Sequence, residues 1–227
     1  MTAVRRTKNR RRNQLVAVIF SPTDLHRASS LRQPPDLFEL RLDALSHVLP
    51  EAEKFLRKLA APLISTARHS AEGGLNSLSP ARRRDLLLRF LPQARYVDVE
   101  LRAAAELRSV LEMAEAHGVR RIISVHDFYR TPNESDFKAL FKSAQALHPD
   151  IFKIVTRTDH EEDAARLLHF FDANRKRVPI SAMGTGAVGR EIRITLARRG
   201  SALNYAHLGT HQVDGQLSLA ELRRIVR

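Results

Sequence analysis

No cysteine occurs among the 227 residues, so a disulfide framework and a cysteine-based zinc site are both excluded, and a cytoplasmic, reducing setting is the expectation. Long hydrophobic runs are missing too. The first apolar stretch, Leu15 to Phe20, is far too short to cross a membrane or to form a signal-peptide core. It runs into Ser21-Pro22-Thr23-Asp24, which reads as a strand leaving into a loop. Acidic residues are absent before residue 14, where Arg5, Arg6, Lys8, Arg10, Arg11 and Arg12 carry six of the net +13 charges. Residues 1–13 are therefore expected to be a basic, disordered arm that aids solubility, ahead of a single domain over 14–227. Arg82, Arg83, Arg84, Arg89, Arg198 and Arg199 read as solvated helix faces, and no Phe/Tyr-rich platform for stacking bases accompanies them. No membrane and no specific nucleic acid is expected as a partner.

What is present is alternation. With 43% hydrophobic residues the chain can bury one large core. Short runs of β type alternate with longer segments of helical period, the pattern of a parallel sheet with crossover helices. The strands are expected at Leu15 to Phe20, Leu37 to Leu42, Leu63 to Thr66, Tyr96 to Glu100, Arg121 to Val125, Ile151 to Val155, Val178 to Ala182 and Leu203 to Leu208. Between them, Leu86, Leu87, Phe90 and Leu91 mark a helix begun by Ser79-Pro80, Leu107 to Ala114 a helix stopped at Gly118, and Phe137, Leu140 and Phe141 one begun near Thr131-Pro132-Asn133. Eight strand-then-helix units in about 210 residues favour a (β/α)8 TIM barrel, whose size range begins near 200 residues. An open doubly wound sheet is the alternative.

In a barrel, residues at the C-terminal strand ends converge on one mouth. Strand two delivers Glu39, Arg41 and Asp43 at alternating positions. Arg68 and Glu72-Gly73-Gly74 follow strand three, and strand four carries Asp98 and Glu100. Strand five ends in Ser124-Val125-His126-Asp127-Phe128, and strand seven runs into Met183-Gly184. Strand six, Ile151-Phe152-Lys153-Ile154-Val155, places one lysine in a run that otherwise reads as buried. An amine there can serve as a nucleophile towards a carbonyl, since low dielectric disfavours the ammonium. Together these groups describe a charged cavity with one amine, one imidazole and no metal-type spacing.

In order and spacing, these motifs, with Gly215-Gln216 near the end, resemble type I 3-dehydroquinase, the Schiff-base enzyme of the shikimate pathway. The resemblance covers nearly everything after residue 14. It implies a lyase that dehydrates 3-dehydroquinate to 3-dehydroshikimate with no metal and no diffusible cofactor, and a homodimer. Carried over, Lys153 forms the imine, His126 is the general acid and base, and Glu72 orients His126. Glu39, Arg41 and Arg68 hold the ring hydroxyls, and Arg190 and Gln216 the carboxylate, with Arg193 as the competitor of Arg190. Asp43, Asp98, Glu100, Met183 and Tyr205 support them. The chain departs from the family where Gln212-Val213-Asp214-Gly215-Gln216 stands for Ser-Ala-Pro-Gly-Gln, Gly189 for a serine, and Tyr205 for a phenylalanine.

Three other readings compete with this one. Gly184-Thr185-Gly186-Ala187-Val188-Gly189 satisfies G-x-G-x-x-G, but it comes too late in the chain for two mononucleotide halves. His207 and His211 are four apart, yet Gly209 between them argues against a helix that would align them on a metal. A lysine aldolase shares barrel and imine, and His126-Asp127-Phe128 favours dehydration. Removal of residues 1–13 is expected to leave 3-dehydroquinate turnover intact, because the arm holds no candidate site group. Salt-dependent sticking to nucleic acid should fall with it, as a filter-binding series over ionic strength would show.

Overall fold

The computed structural model describes residues 13–226. Of the expected basic arm, only Asn13 lies within that range, and its Nδ2 donates to Ala197 O at 2.6 Å.

Strand and helix alternate throughout: β1 (Gln14–Ile19), α1 (Pro22–Ser29), β2 (Leu37–Arg41), α2 (Leu49–Leu56), β3 (Leu63–Thr66), α3 (Pro80–Phe90), β4 (Ala94–Glu100), α4 (Arg108–Ala116), β5 (Arg120–Asp127), α5 (Glu134–Gln145), β6 (Ile151–Arg157), α6 (Glu161–Asn174), β7 (Ile180–Thr185), α7 (Gly189–Arg199), β8 (Leu203–His207) and α8 (Leu219–Val226). All pairings are parallel, and the strand order is β7-β6-β5-β4-β3-β2-β1-β8. The sheet curls until its two edges approach. Ala202 N donates to Ile180 O at 2.8 Å and Ser181 Oγ to Leu203 O at 2.7 Å across the β7–β8 seam. A doubly wound sheet would instead reverse its strand order at a switch point.

Period-two alternation sorts the side chains into two cores. Outward residues such as Phe38, Leu40, Val97, Val99, Phe152 and Ile154 pack under the helices. Inward residues fill the barrel, and they change character with height. The lower level is apolar, built from Val16, Leu37, Ile64, Tyr96, Ile122, Ile151 and Leu203. Two residues further along the same strands stand Val18, Glu39, Thr66, Asp98, Ser124, Lys153 and Tyr205, all buried. An apolar plug therefore closes one end, and the charged level opens only towards the C-terminal strand ends.

Local signals account for most boundaries. Ser79 Oγ accepts from Arg82 N at 3.2 Å, with Pro80 in the first turn of α3, and Asn133 caps α5. The same device starts α1: Ser21 Oγ accepts from Asp24 N at 3.2 Å and Pro22 follows it. The expected loop at Ser21-Pro22-Thr23-Asp24 is thus a helix start. β7 begins later than expected and runs through Thr185, because Pro179 has no N–H to enter the ladder. β5 continues to Asp127 and keeps His126 on the strand.

Arg83 is the sharpest difference. Expected on a solvated face, it is 1% exposed, while Arg82 and Arg84 are exposed. Helical spacing explains this, since Arg83, Leu86, Leu87 and Phe90 share the inward side of α3.

Ser21→Ala removes the cap of α1 and should lower stability by about 1 kcal/mol, seen as a shift in the urea midpoint without a change of slope.

Candidate active site

Outward packing of Phe152 forces Lys153 inward: the Phe152 ring lies 5.5 Å from that of Phe141 and 6.2 Å from that of Phe170. Inside the barrel the amine meets more than the apolar neighbours its strand suggested. Lys153 Nζ is 3.0 Å from Asp98 Oδ2 and 3.3 Å from Glu39 Oε1, and it lies 4.1 Å from the centre of the Tyr205 ring. The Tyr205 hydroxyl is buried without a partner among the described residues, and burial, with Glu39 and Asp98 nearby, pushes it well above the usual phenol range.

Arg68 ties the carboxylates together. Its Nη1 and Nη2 donate to Asp98 Oδ1 and Oδ2 at 3.0 and 2.8 Å, a two-pronged pairing, and Nη1 also reaches Glu100 Oε1 at 3.1 Å and Ser124 Oγ at 2.7 Å. Burial alone would raise Asp98, but the Arg68 guanidinium and then Lys153 hold it well below the usual carboxylate range. Burial likewise would lower Arg68, and Asp98 and Glu100 more than reverse it. Asp43 sits just past β2 and outside the cavity. It takes Arg41 Nε and Nη2 at 2.9 and 2.8 Å and the backbone N–H groups of Arg68 and Leu75 at 3.0 Å each. One carboxylate thereby fixes both Arg41 and the chain leaving β3.

That chain makes a one-turn 3₁₀ helix, Ser70–Glu72, started by His69 Nδ1 accepting from Ala71 N at 3.0 Å. Gly73 follows at φ 82°, where any Cβ would also lie 2.9 Å from the Phe128 ring. The turn aims Glu72 at β5. Glu72 Oε2 accepts from His126 N and meets His126 Nδ1, both at 2.9 Å. With Nδ1 so held, Nε2 is the nitrogen left for the cavity. Burial, with Arg68 and Lys153 nearby, lowers His126 well below its ordinary value, so the ring is neutral near pH 7. Burial pushes Glu72 up to about 7.

These groups line a cavity of about 320 Å³ at the barrel mouth, with Glu39, Arg41, Arg68, Glu72, His126, Lys153, Met183, Tyr205 and Gln216 on its wall. Asp43, Asp98 and Glu100 stand behind it, each bonded to an arginine or lysine that lines it. Arg190 is elsewhere. Its Nη2 pairs with Glu221 Oε1 at 2.9 Å on a half-exposed side chain, and it is not on the cavity wall. Arg193, one turn further along α7, is: it is buried, its Nε donates to Gly184 O at 2.7 Å, and it has no acidic partner among the described residues. Burial lowers it to about 10. Phe20, Phe128, Leu75, Gln212 and Val213 also line the wall. Phe20 could have been anticipated, standing two residues past inward Val18.

The G-x-G-x-x-G stretch serves close packing. A Cβ at Gly184 would stand 2.2 Å from Ile192 Cγ2 and 2.4 Å from Thr158 Oγ1. His207 and His211 have ring centres 6.3 Å apart, and among the described residues no three His, Cys, Asp or Glu side chains are grouped to hold a metal ion.

Comparison with known proteins agrees with this geometry. The family model described as type I 3-dehydroquinase matches residues 16–227. A 3-dehydroquinate dehydratase from Methanosarcina barkeri is 31% identical over 226 residues, 93% of each chain. Crystal structures of the type I enzyme from Clostridium difficile, carrying covalently modified comenic acid, and of the enzyme from Geobacillus kaustophilus superpose with TM-scores of 0.84 and 0.85. Their identities are 26% and 25%, with 95% and 94% of this chain covered and 91% and 90% of theirs. A barrel of this topology, a lysine at its charged level and a match along almost the whole chain lead to one conclusion: the chain belongs to the type I 3-dehydroquinase family.

Proposed function

We propose that dehydration of 3-dehydroquinate to 3-dehydroshikimate, the hydro-lyase activity of this family, runs here through an imine on Lys153. The observation that carries the reading is the Lys153 amine, the one lysine among the described residues at the charged level of the barrel, two residues below a His126 whose Nδ1 is already engaged by Glu72. The Lys153 ammonium passes a proton to His126 and its Nζ adds to the C3 ketone; His126 returns that proton to the carbinolamine hydroxyl, which leaves as water as the iminium forms. The iminium acidifies C2, so neutral His126 takes a C2 proton through Nε2. As the C1–O bond breaks, the same nitrogen returns the proton and the hydroxyl departs as water. A second water hydrolyses the iminium and frees Lys153. The imine nitrogen is itself the electron sink, so these steps call for no metal or diffusible cofactor.

Glu39, Arg41 and Arg68 are the groups we assign to the ring hydroxyls, and Gln216 to the carboxylate. Its other ligand, in our reading, is Arg193 rather than Arg190. A buried guanidinium with no acid beside it is matched when a carboxylate enters, whereas Arg190 already has Glu221. Met183 and Tyr205 supply wall. We further propose a cytoplasmic location, in keeping with the cysteine-free chain, and a homodimer, as the family suggests; light scattering tests the latter.

Borohydride added during turnover should reduce the imine to a stable secondary amine, and peptide mass mapping should place the adduct on Lys153. Lys153→Arg should yield neither adduct nor turnover, because guanidinium is not a nucleophile at this pH. An adduct on another lysine sinks the assignment.

The two arginines separate in kcat/KM. Arg193→Ala should cost about 2–5 kcal/mol, as truncating one side of a buried charged pair does, and Arg190→Ala less than about 1 kcal/mol, as an exposed pair does. The reverse order would return the carboxylate to Arg190.

A further inference from the structure

The cluster of side chains bonded through Arg68 and Lys153 does not balance within the barrel. Glu39, Asp98 and Glu100 are three buried carboxylates, and Arg68 and Lys153 are two buried cations. The third cation arrives from outside the barrel. Arg83 reaches in from α3, donating Nε to Ala67 O at 2.7 Å and Nη2 to Glu100 Oε2. The other oxygen of Glu100 accepts from Arg68 Nη1 at 3.1 Å and from His69 N at 2.8 Å, and His69 starts the turn that carries Glu72 to His126. An unbroken series of bonds thus runs from α3 to the histidine.

Stability does not account for an arginine here. Its neighbours on the inward face of α3 are Leu86, Leu87 and Phe90, and its Nη1 has no partner among the described residues. An apolar side chain of similar volume would pack there without desolvating a cation.

We infer that Arg83 is a positioning residue for the dehydration: it neutralises Glu100 and holds it, so that Arg68, the Glu72 turn and Lys153 keep their places and their charge balance. The inference rests on the imine reading above. Without Arg83, this bonded cluster of three carboxylates and two cations carries one uncompensated negative charge even with Lys153 protonated. Every titrating neighbour then holds its proton more tightly. Those neighbours are Glu72, flanked by Arg68, Glu100, Arg102 and His126, and His126 itself, flanked by Arg68, Lys153, Asp98 and Arg41. Since the reaction needs a free amine and an unprotonated histidine, the acidic limb of the pH–rate profile moves to higher pH.

The test uses the full chain, 3-dehydroquinate and the rise of enone absorbance, with Arg83→Met, Arg83→Lys and the double variant Arg83→Met/Glu100→Gln. Arg83→Met should lower kcat by roughly ten- to a hundredfold, the scale of a displaced catalytic geometry, with KM little changed and the acidic limb displaced upwards. Arg83→Lys keeps the charge and should keep the limb. The double variant removes one charge of each sign and should bring the limb back to its parental pH. If Arg83→Met does not fold, the double variant carries the test, because no Glu100 charge is stranded in it. Parental kcat and pH profile in Arg83→Met, or a displaced limb in the double variant, overturns the inference. Borohydride trapping separates it from its premise. A parent enzyme untrapped at Lys153 overturns the imine reading and this inference with it, whereas a trapped parent matched in rate by Arg83→Met overturns this inference alone.

Discussion

Everything at the mouth hangs on the pairing of Arg68 with Asp98. Its two parallel bonds, at 3.0 and 2.8 Å, sit in a barrel interior where an unpaired charge could not persist. Asp98 can then turn its second oxygen to Lys153, and Arg68 can brace Glu100 and Ser124. The cluster is held in balance with the apolar plug beneath it, whose side chains offer the charges no water from below. Low dielectric strengthens each bond and raises the penalty for losing any partner.

On this foundation Lys153 and His126 are set up differently. Lys153 is placed by secondary structure: strand alternation and the packing of Phe152 leave its side chain one direction to go. His126 is placed by tertiary contact, through a carboxylate carried on a turn from a different strand connection. Both belong to rigid strands, β6 and β5, whose pairing sets Ser124 beside Lys153 and His126 beside Val155. Part of the wall lies instead on the loop of Gln212, Val213 and Gln216, where Gln216 Oε1 accepts from Gln212 N at 2.9 Å.

Much of this was legible in the residues because strand alternation is local. The positions of Glu39, Asp98, Ser124 and Lys153 follow once the strands are found, and the eight-unit pattern found them. Misreadings arose where the deciding fact was a helix face or a distant partner. Arg83 stands in a run of three arginines, and only the phase of α3 shows that one of them points inward. Between Arg190 and Arg193, three apart on α7, the residues left the choice open, and their different depths come from how that helix leans on β7. Ser21-Pro22 repeats the Ser79-Pro80 signal, but the short helix it begins has too few apolar residues to announce itself. That Asp43 works behind the wall could not be read from its strand, since β2 has already ended there.

The alternation of Phe152 and Lys153 has one more consequence. In a strand, slippage by one residue exchanges the two faces, so a misregistered β6 would drive an aromatic ring into the charged level and leave the amine under the helices. No partly misaligned barrel could keep a usable lysine. If the imine proposed above forms on Lys153, that residue doubles as a proofreading mark, and a population's capacity to form the covalent adduct counts the molecules that closed their barrel in the right frame.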